Sequence, residues 1–516
     1  MAEDTASGTT GGPSPKFWWE RRSFVAALII LSIVPLLYPP VPPLVDLLGH
    51  MGRYRVQLDL GSSPWLANYY GFHWAAIGNL GVDLLVMPIA RLIGLEPAVK
   101  LIVLAIPPLT VAGFLWVARE VHHRLPPTAL FALPFAYGHP FMFGFVNFGL
   151  SMALAFLAFG LWLRLARLER FRLRAWLFVP ISIVVFFAHT FGWGTLGLLC
   201  FSAEAVRQHD RGTPWLKAGL KAVSHASVMA LPVAIMLAWR SEVHGGMTFG
   251  WFEWSAKLTW ILAALRDRWQ ALDVGALALV AMVFAFALLS PRLTFSRNLG
   301  FSAIVLFVAF LVLPWTVFGS AYADMRLVPY MIAVIVLAIR FSEATDPATA
   351  NALALGGLAF YLARLAATAA SLAIASNDQQ AKLAALDHVP MGARVVTLVG
   401  RNCGAVWPLP RNTHLGGMVI VRRQGFSNDQ WVIEGSNLLS LAYRRAGAFS
   451  ADPSQMVAAD DCPTNDPRIS ETIGKVPRDR FDYLWLIDPP RFDTAATEGM
   501  QPVWRGPGSV LYRLQP

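Results

Sequence analysis

The sequence predicts an α-helical polytopic membrane protein that carries a small C-terminal α/β domain. Three observations predict it. Hydrophobic residues fill 56% of the 516 positions and charged residues only 14%, with a mean hydropathy of +0.50. A soluble protein holds about 25% charged residues. Apolar runs of roughly 20 residues, the length a bilayer demands, recur through the first 376 positions. Beyond them the composition becomes ordinary, with 15 basic and 14 acidic side chains over 377–516. Together these features exclude a disordered chain, a coiled coil, a secreted disulfide scaffold and an ordinary cytosolic enzyme.

The net charge of +10 looks at first like a nucleic-acid signal. Residues 1–376, however, hold 27 basic and 18 acidic side chains, so nearly all of the excess lies between apolar runs. There it reports orientation, and no nucleic-acid partner is expected.

Residues 1–22 read as a cytoplasmic N-terminus, Gly/Ser/Thr-rich and disordered over Met1–Pro15. Phe17-Trp18-Trp19 and Arg21-Arg22 then mark an interface, and Phe24–Leu37 is a retained first span rather than a signal peptide. Ten further spans follow at about 99–118, 128–141, 147–165, 175–189, 191–206, 219–238, 272–290, 299–319, 327–342 and 350–376. Ala75–Leu95 is apolar but contains Asn79, Asp83, Pro88 and Arg91. Leaving it outside gives eleven spans, with 17 Lys/Arg in cytoplasmic loops against 9 outside. Making it a span reverses that bias, so it is read as a periplasmic juxtamembrane or re-entrant helix.

The expected organisation is therefore a bundle over 23–376, with a first periplasmic loop at 40–97 and a periplasmic α/β domain at 377–516. The N-terminus is expected to be cytoplasmic. In the tail, Ala393–Gly400, Gly417–Arg422 and Tyr483–Asp488 read as strands. Ser436–Arg445 and Ser470–Lys475 read as helices, each with a serine placed to cap it. Cys200 is an apolar filler within a span. Cys403 and Cys462 either pair or stay as two buried thiols. No Cys/His spacing of the zinc type occurs, so no cofactor is expected and no metal is indicated.

This topology gathers Asp46, His50, Arg53, Asp59, His73, His139, His189, Glu242, Asp324 and Arg326 on the periplasmic side. In Leu44–Arg53, spacings of four and three put Asp46, His50 and Arg53 on one helical face and the leucines on another. A carboxylate beside an imidazole suits general-base work, and a guanidinium suits a phosphate. The bland reading is a solvated charge set. Tyr322, Asp324 and Arg326 stand at the mouth of the span beginning at Leu327. Asp324 and Arg326 there form either an anchoring ion pair or a phosphate site. His139 and His189 sit in glycine- and aromatic-rich turns, as structural histidines or against a polyprenyl chain or sugar. Trp251, Trp254 and Trp260 read as interfacial belt residues in a loop that is alternatively an amphipathic lid. Arg364 near the middle of the last span calls for a buried partner, or else couples transport.

A first span, a large external loop with an early Asp46 and juxtamembrane helices resemble the GT-C glycosyltransferases. The resemblance extends over Asn79–Lys100, a bundle of about eleven spans and an external α/β tail. It implies transfer of a sugar from a polyprenyl-phosphate donor to an envelope glycan or lipid acceptor at the outer membrane face. It also implies Asp46 as the loop base, assisted by His50. Arg53, His139, His189, Tyr322, Asp324 and Arg326 would then bind substrate or phosphate. The chain departs from the family pattern in giving Asp46 no acidic neighbour and in lacking a lysine-proline phosphate element. A non-catalytic assembly protein that binds polymer through its tail, or a lipid or solute transporter, would have the same composition.

Overall fold

The computed structural model describes residues 17–240, 247–432, 437–463 and 465–514. The readings made for Met1–Pro15, for Glu242 and for Ser436 as a cap lie outside the described residues. The first span is two helices, α1 (Arg22–Leu31) and α2 (Val34–Leu37), with Pro35 in the opening turn of the second. The proline run 39–43 then leads to α3 (Leu47–Asp59) and α4 (Gly81–Ile93), neither of which crosses the bundle. Next comes α5 (Leu95–His122), whose 28 residues span about 42 Å. Its first turn is tied to the tail by Glu96 and Arg422 at 2.9 Å. Its last turn therefore reaches the opposite end, where Arg124 pairs with Glu20 at 2.7 Å and Trp19 Nε1 donates to the Leu125 carbonyl.

The expected α-helical span at 128–141 is not one. Pro127–Tyr137 runs back through the bundle as a 3-10 stretch, buried at every residue. Pro126, Pro127 and Pro134 remove backbone donors there, and an irregular backbone survives at membrane depth only inside protein. A short turn, α6 (His139–Met142), follows. Long helices then complete the bundle: α7 (Val146–Arg167), α8 (Phe171–Ala188) and α9 (Thr190–Asp210). The expected span at 219–238 is a bent pair, α10 (Trp215–Ala226) and α11 (Leu231–Arg240), which meet at 62°.

After α12 (Trp254–Leu262) come α13 (Gln270–Leu289), α14 (Arg297–Val312), α15 (Ala323–Leu337) and α16 (Pro347–Leu383). The expected span at 327–342 stops at Leu337, because Ile339–Phe341 is a strand paired with Leu293–Phe295. Among the described residues five helices are long and apolar enough to cross a membrane, six with the bent pair counted as one. Their outer faces leave Trp176, Leu216 and Leu289 in the open, as a lipid-facing surface requires. The chain is a multi-pass membrane protein.

Arg364 has a partner. It donates to Asp273 at 2.7 Å and to the Leu265 carbonyl at 3.0 Å. Asp273 also accepts from Trp407 of the tail at 2.7 Å. A tail residue at this level moves Arg364 from mid-bilayer to the tail-side end of the bundle, and the last turns of α16 project beyond it. Asp267 extends the knot, accepting from Ser371 at 2.7 Å and pairing with the tail's Arg411.

The tail is a mixed sheet. β1 (Tyr70–Phe72) belongs to the first loop, β2 and β3 are the two short strands near 293 and 340, and the rest lie in the tail. They are β4 (Arg394–Gly400), β5 (Phe426–Ser427), β6 (Leu439–Leu441), β7 (Met456–Val457), β8 (Tyr483–Ile487), β9 (Gln501–Gly506) and β10 (Ser509–Arg513). β4 is parallel to β5, β7 and β8, and β10 is antiparallel to both β8 and β9. Strands over 394–400 and 483–487 match the sequence pattern. Gly417–Arg422 does not, because Gly417–Arg423 is a helix, α17. Ser436–Arg445 was also expected helical, yet Leu439–Leu441 is a strand and Arg444–Phe449 a 3-10 turn. The remaining helix, α18 (Ile469–Lys475), forms as expected, but Ser470 does not cap it and bonds Asp460 instead. Cys403 and Cys462 are disulfide-bonded.

The first loop is built into this domain. β1 pairs antiparallel with β6, and Val56, Leu66 and Tyr70 share a core with Leu398, Phe426 and Leu484. α3 lies on α17 at close range. A Cβ on Gly417 would stand 2.4 Å from the Leu48 carbonyl, so glycine at 417 is what lets α17 come this close to α3.

Candidate functional site

Asp46 sits at the N-cap position of α3, and a turn before α7 fixes it. Its N–H donates to the Phe143 carbonyl at 2.9 Å. Gly144 follows at φ +100°, and a Cβ there would stand 2.7 Å from the Asp46 nitrogen. The turn thus needs glycine both for its backbone angle and for the approach.

The imidazole beside Asp46 comes from the tail. His414 Nε2 stands 3.7 Å from an Asp46 oxygen, and its Nδ1 lies 2.9 Å from Asp429 Oδ1. Trp431 covers the ring, with centroids 4.3 Å apart. His414 lies on the connection leaving β4, and Asp429 just after β5, at the carboxyl ends of parallel strands where open α/β sheets place their sites. Ser427, Asn428, Asp429 and Gln430 are all fully buried, and Asn428 bonds β4 at Thr397 on both backbone groups.

Electrostatics separate the groups. Burial raises the Asp46 carboxyl to about 7, opposed by His414 and Arg326 and assisted by Asp452 and Asp429. Burial pulls the other way on His414, but Asp429, by charge and hydrogen bond, together with Asp46 and Asp452, lifts it to about 9. Near neutrality the array is an imidazolium held between carboxylates, with Asp46 close to its own titration point. Asp452 is raised by burial, against the pull of His414.

The expected Asp46–His50 dyad does not form. His50 turns its ring toward Trp431 at 5.1 Å, and its Nδ1 has no hydrogen-bond partner. Burial, with Arg53, His414 and Arg326 nearby, keeps its pKa well below the usual range, so it is a neutral imidazole. Arg53 lies away from the site, bound to Asp83 at 2.8 Å. Asp83 also accepts from Asn147 at 2.9 Å, which fastens α3 to α4 and α7. Asp324 bonds Lys257 at 3.2 Å rather than Arg326, and Lys257 also donates to the Phe310 and Leu313 carbonyls.

Arg326 is left over. It is 6% exposed, and Nε and Nη1 have no hydrogen-bond partner. No carboxylate lies within ion-pair distance of it among the described residues. Its guanidinium rests 4.4 Å from the Phe145 ring centre and 5.5 Å from that of Phe191. The charge of Asp46 is close enough for each to stabilise the other. Tyr322, at φ +60°, joins Trp260, Trp315 and Phe143 in an aromatic cluster with centroids 4.9–5.8 Å apart. His139 packs on that cluster with both ring nitrogens unpartnered, whereas His189 caps α9 by accepting from Phe191 N. Trp260 is buried there, while Trp251 and Trp254 are exposed. Asp59 pairs with Arg55 and stays outside the site. His73 is likewise outside, with its backbone bonded to Leu438.

Of the residues singled out from the sequence, Asp46 and Arg326 meet at this junction; His414, Asp429, Asp452 and Trp431, which surround Asp46, were not among them. The available signal was Ser427-Asn428-Asp429-Gln430, a polar run directly after Phe426 that reads equally well as surface loop.

Among the described residues no cluster of three or more His, Cys, Asp or Glu is arranged to hold a metal. The fold and site define a multi-pass membrane protein with a carboxylate–imidazole–carboxylate array at the junction of bundle and tail. No family model matches the sequence, and no curated protein does. Among solved structures, the crystal structure of ArnT from Cupriavidus metallidurans in the apo state is similar. The likeness covers 96% of this chain and 97% of that one, at a TM-score of 0.52 and 12% identity. At that identity the likeness shows the fold: this chain has the overall fold of the ArnT structure.

Proposed function

We propose that this chain transfers a sugar from a polyprenyl-phosphate-linked donor to an envelope glycan or lipid at the outer face of a bacterial inner membrane. One observation carries the reading: a buried carboxylate poised near neutrality, backed by His414 and Asp429, beside a buried arginine that has no carboxylate at ion-pair distance among the described residues. A base next to an unsatisfied cation suits displacement of a phosphate leaving group. The fold likeness to ArnT supports the same class.

In the proposed step Asp46 takes the proton from an acceptor hydroxyl, and that oxygen bonds the anomeric carbon. The bond from that carbon to the phosphate oxygen breaks, its electron pair leaves with the phosphate, and Arg326 neutralises the charge. Direct displacement inverts the centre. His414 and Asp429 orient Asp46 and hold its charge, and neutral His50 offers a hydrogen bond to the sugar. Tyr322 and His139 line an aromatic wall suited to the polyprenyl chain. His189 shapes the start of α9, and Arg53 and Asp324 hold the scaffold. No step is routed through a metal.

The orientation is part of the proposal: eleven crossings, the tail periplasmic, and the N-terminus cytoplasmic. Arg119, Arg164, Arg167, Arg170 and Arg172 gather at the end away from the tail, where positive charge favours the cytoplasm. The deciding experiment is mass spectrometry of envelope glycans and polyprenyl-linked sugars with and without the protein. A lost glycan modification with accumulated donor is expected. No change in either pool would contradict the assignment.

A further inference from the structure

The end of the bundle away from the tail carries a second constellation that plays no part in the chemistry above. A cavity of about 970 Å³ lies there, bordered by α1, α5 and α7. That volume is at the upper end of ordinary small-molecule sites, roughly 300–1,000 Å³. Its floor is apolar, formed by Val25, Ile29, Ala112, Leu115 and Leu157. Its rim carries Arg22, Arg119, Arg124, Arg164 and Arg167.

Among the described residues two carboxylates, Glu20 and Glu120, line the cavity with these five guanidiniums, and both are occupied. Glu20 accepts from Arg124 through Nε at 2.9 Å and Nη2 at 2.7 Å. Glu120 accepts from Arg167 at 2.8 Å and from Trp116 at 3.2 Å, with Arg164 at 3.6 Å. Arg22 and Arg119 have no carboxylate within ion-pair distance among the described residues. The rim therefore carries a surplus of positive charge directly above an apolar slot. On α1 the slot adjoins Ile30 and Leu31, which are exposed on the outer face of the bundle.

We propose that this groove binds one anionic glycerophospholipid, its phosphate among the arginines and an acyl chain along the apolar floor. Charge complementarity selects the headgroup: a zwitterionic lipid brings its own cation to a rim already rich in them, whereas an anionic one does not. The apolar floor selects a lipid over a soluble phosphate. The inference is independent of the reaction proposed for the opposite end.

The test is native mass spectrometry of the full chain released from detergent with dioleoyl phosphatidylglycerol or dioleoyl phosphatidylcholine. One phosphatidylglycerol is expected to stay bound where phosphatidylcholine is lost. The exposed double variant Arg22→Gln/Arg119→Gln should weaken retention about tenfold or more, since each near-surface arginine adds roughly 1 kcal/mol. Ala112→Trp, which fills the floor and leaves every arginine in place, should lose the lipid as well. Equal retention of the two lipids, or retention unchanged in both variants, would overturn the proposal. So would full displacement of phosphatidylglycerol by millimolar glycerol 1-phosphate, which would mark a plain anion site.

Discussion

Two buried arginines near the tail side of the bundle have opposite surroundings. Arg364 is saturated: it donates to Asp273 and the Leu265 carbonyl, and Trp407, Ser371 and Arg411 complete the knot around Asp273 and Asp267. Arg326, equally buried, rests on two phenylalanine rings with Nε and Nη1 unmet. Desolvating a cation without a partner is costly, so a fold keeps one where something else supplies the anion. The first region fastens the tail to the bundle. The second has no carboxylate at ion-pair distance among the described residues, and on the proposed function the donor phosphate supplies the anion. A transport pathway would need ionisable groups free to change partners, and the knot offers none.

The sharpest break in this contrast is at Asp46. On the account above, Asp46→Asn costs about 10²–10⁴ in turnover, the usual worth of a general base. The assay is sugar transfer in reconstituted vesicles, with a monodisperse elution profile as the control for folding. Arg326→Met comes next and should cost about 10²–10³ in turnover, as loss of one charge-stabilising group does. It should leave the thermal unfolding midpoint unchanged or raise it, because an unpaired buried cation is removed. Arg364→Met should do the reverse, stranding Asp273 at about 3–5 kcal/mol and reducing the yield of folded protein. If the two substitutions behave alike, the distinction between knot and site fails.

Much of the architecture could be read from the sequence because solvent chooses it. Apolar length and arginine placement located most of the long helices, and short runs rich in β-branched, leucine and aromatic residues located β4 and β8. Readings failed where a tertiary partner decides. Gly417–Arg423 has the β-branched content of a strand, yet it is a helix packed on α3, with its glycine against the Leu48 carbonyl. Leu439–Leu441 is extended because β1 from the first loop is there to pair with it. The site divided in the same way. Asp46 stood out by its place after the first span, whereas His414 and Asp429 come from distant tail segments whose polar residues look like surface. Spacing along α3 suggested His50 as the partner of Asp46; folding supplied a different histidine.

A smaller effect separates His414 from an ordinary buried residue. Its folded pKa of about 9 lies above the ordinary 6.5, so the stability it contributes is full below pH 6.5 and is lost as pH rises through 9. The unfolding midpoint of His414→Gln should therefore lie below that of the native chain at pH 6 and approach it by pH 9.5. A gap independent of pH would mean that His414 acts only by packing.

The coupling between tail and loop is tested most directly by the pH dependence of turnover. The native profile should rise with a midpoint near 7 as Asp46 loses its proton. His414→Gln removes a charge that favours the carboxylate and should move that midpoint to higher pH. Asp452→Asn removes a charge that opposes it and should move the midpoint to lower pH. Shifts of opposite sign would establish Asp46 as the base and the tail as the element that tunes it. One midpoint common to all three proteins would contradict the account.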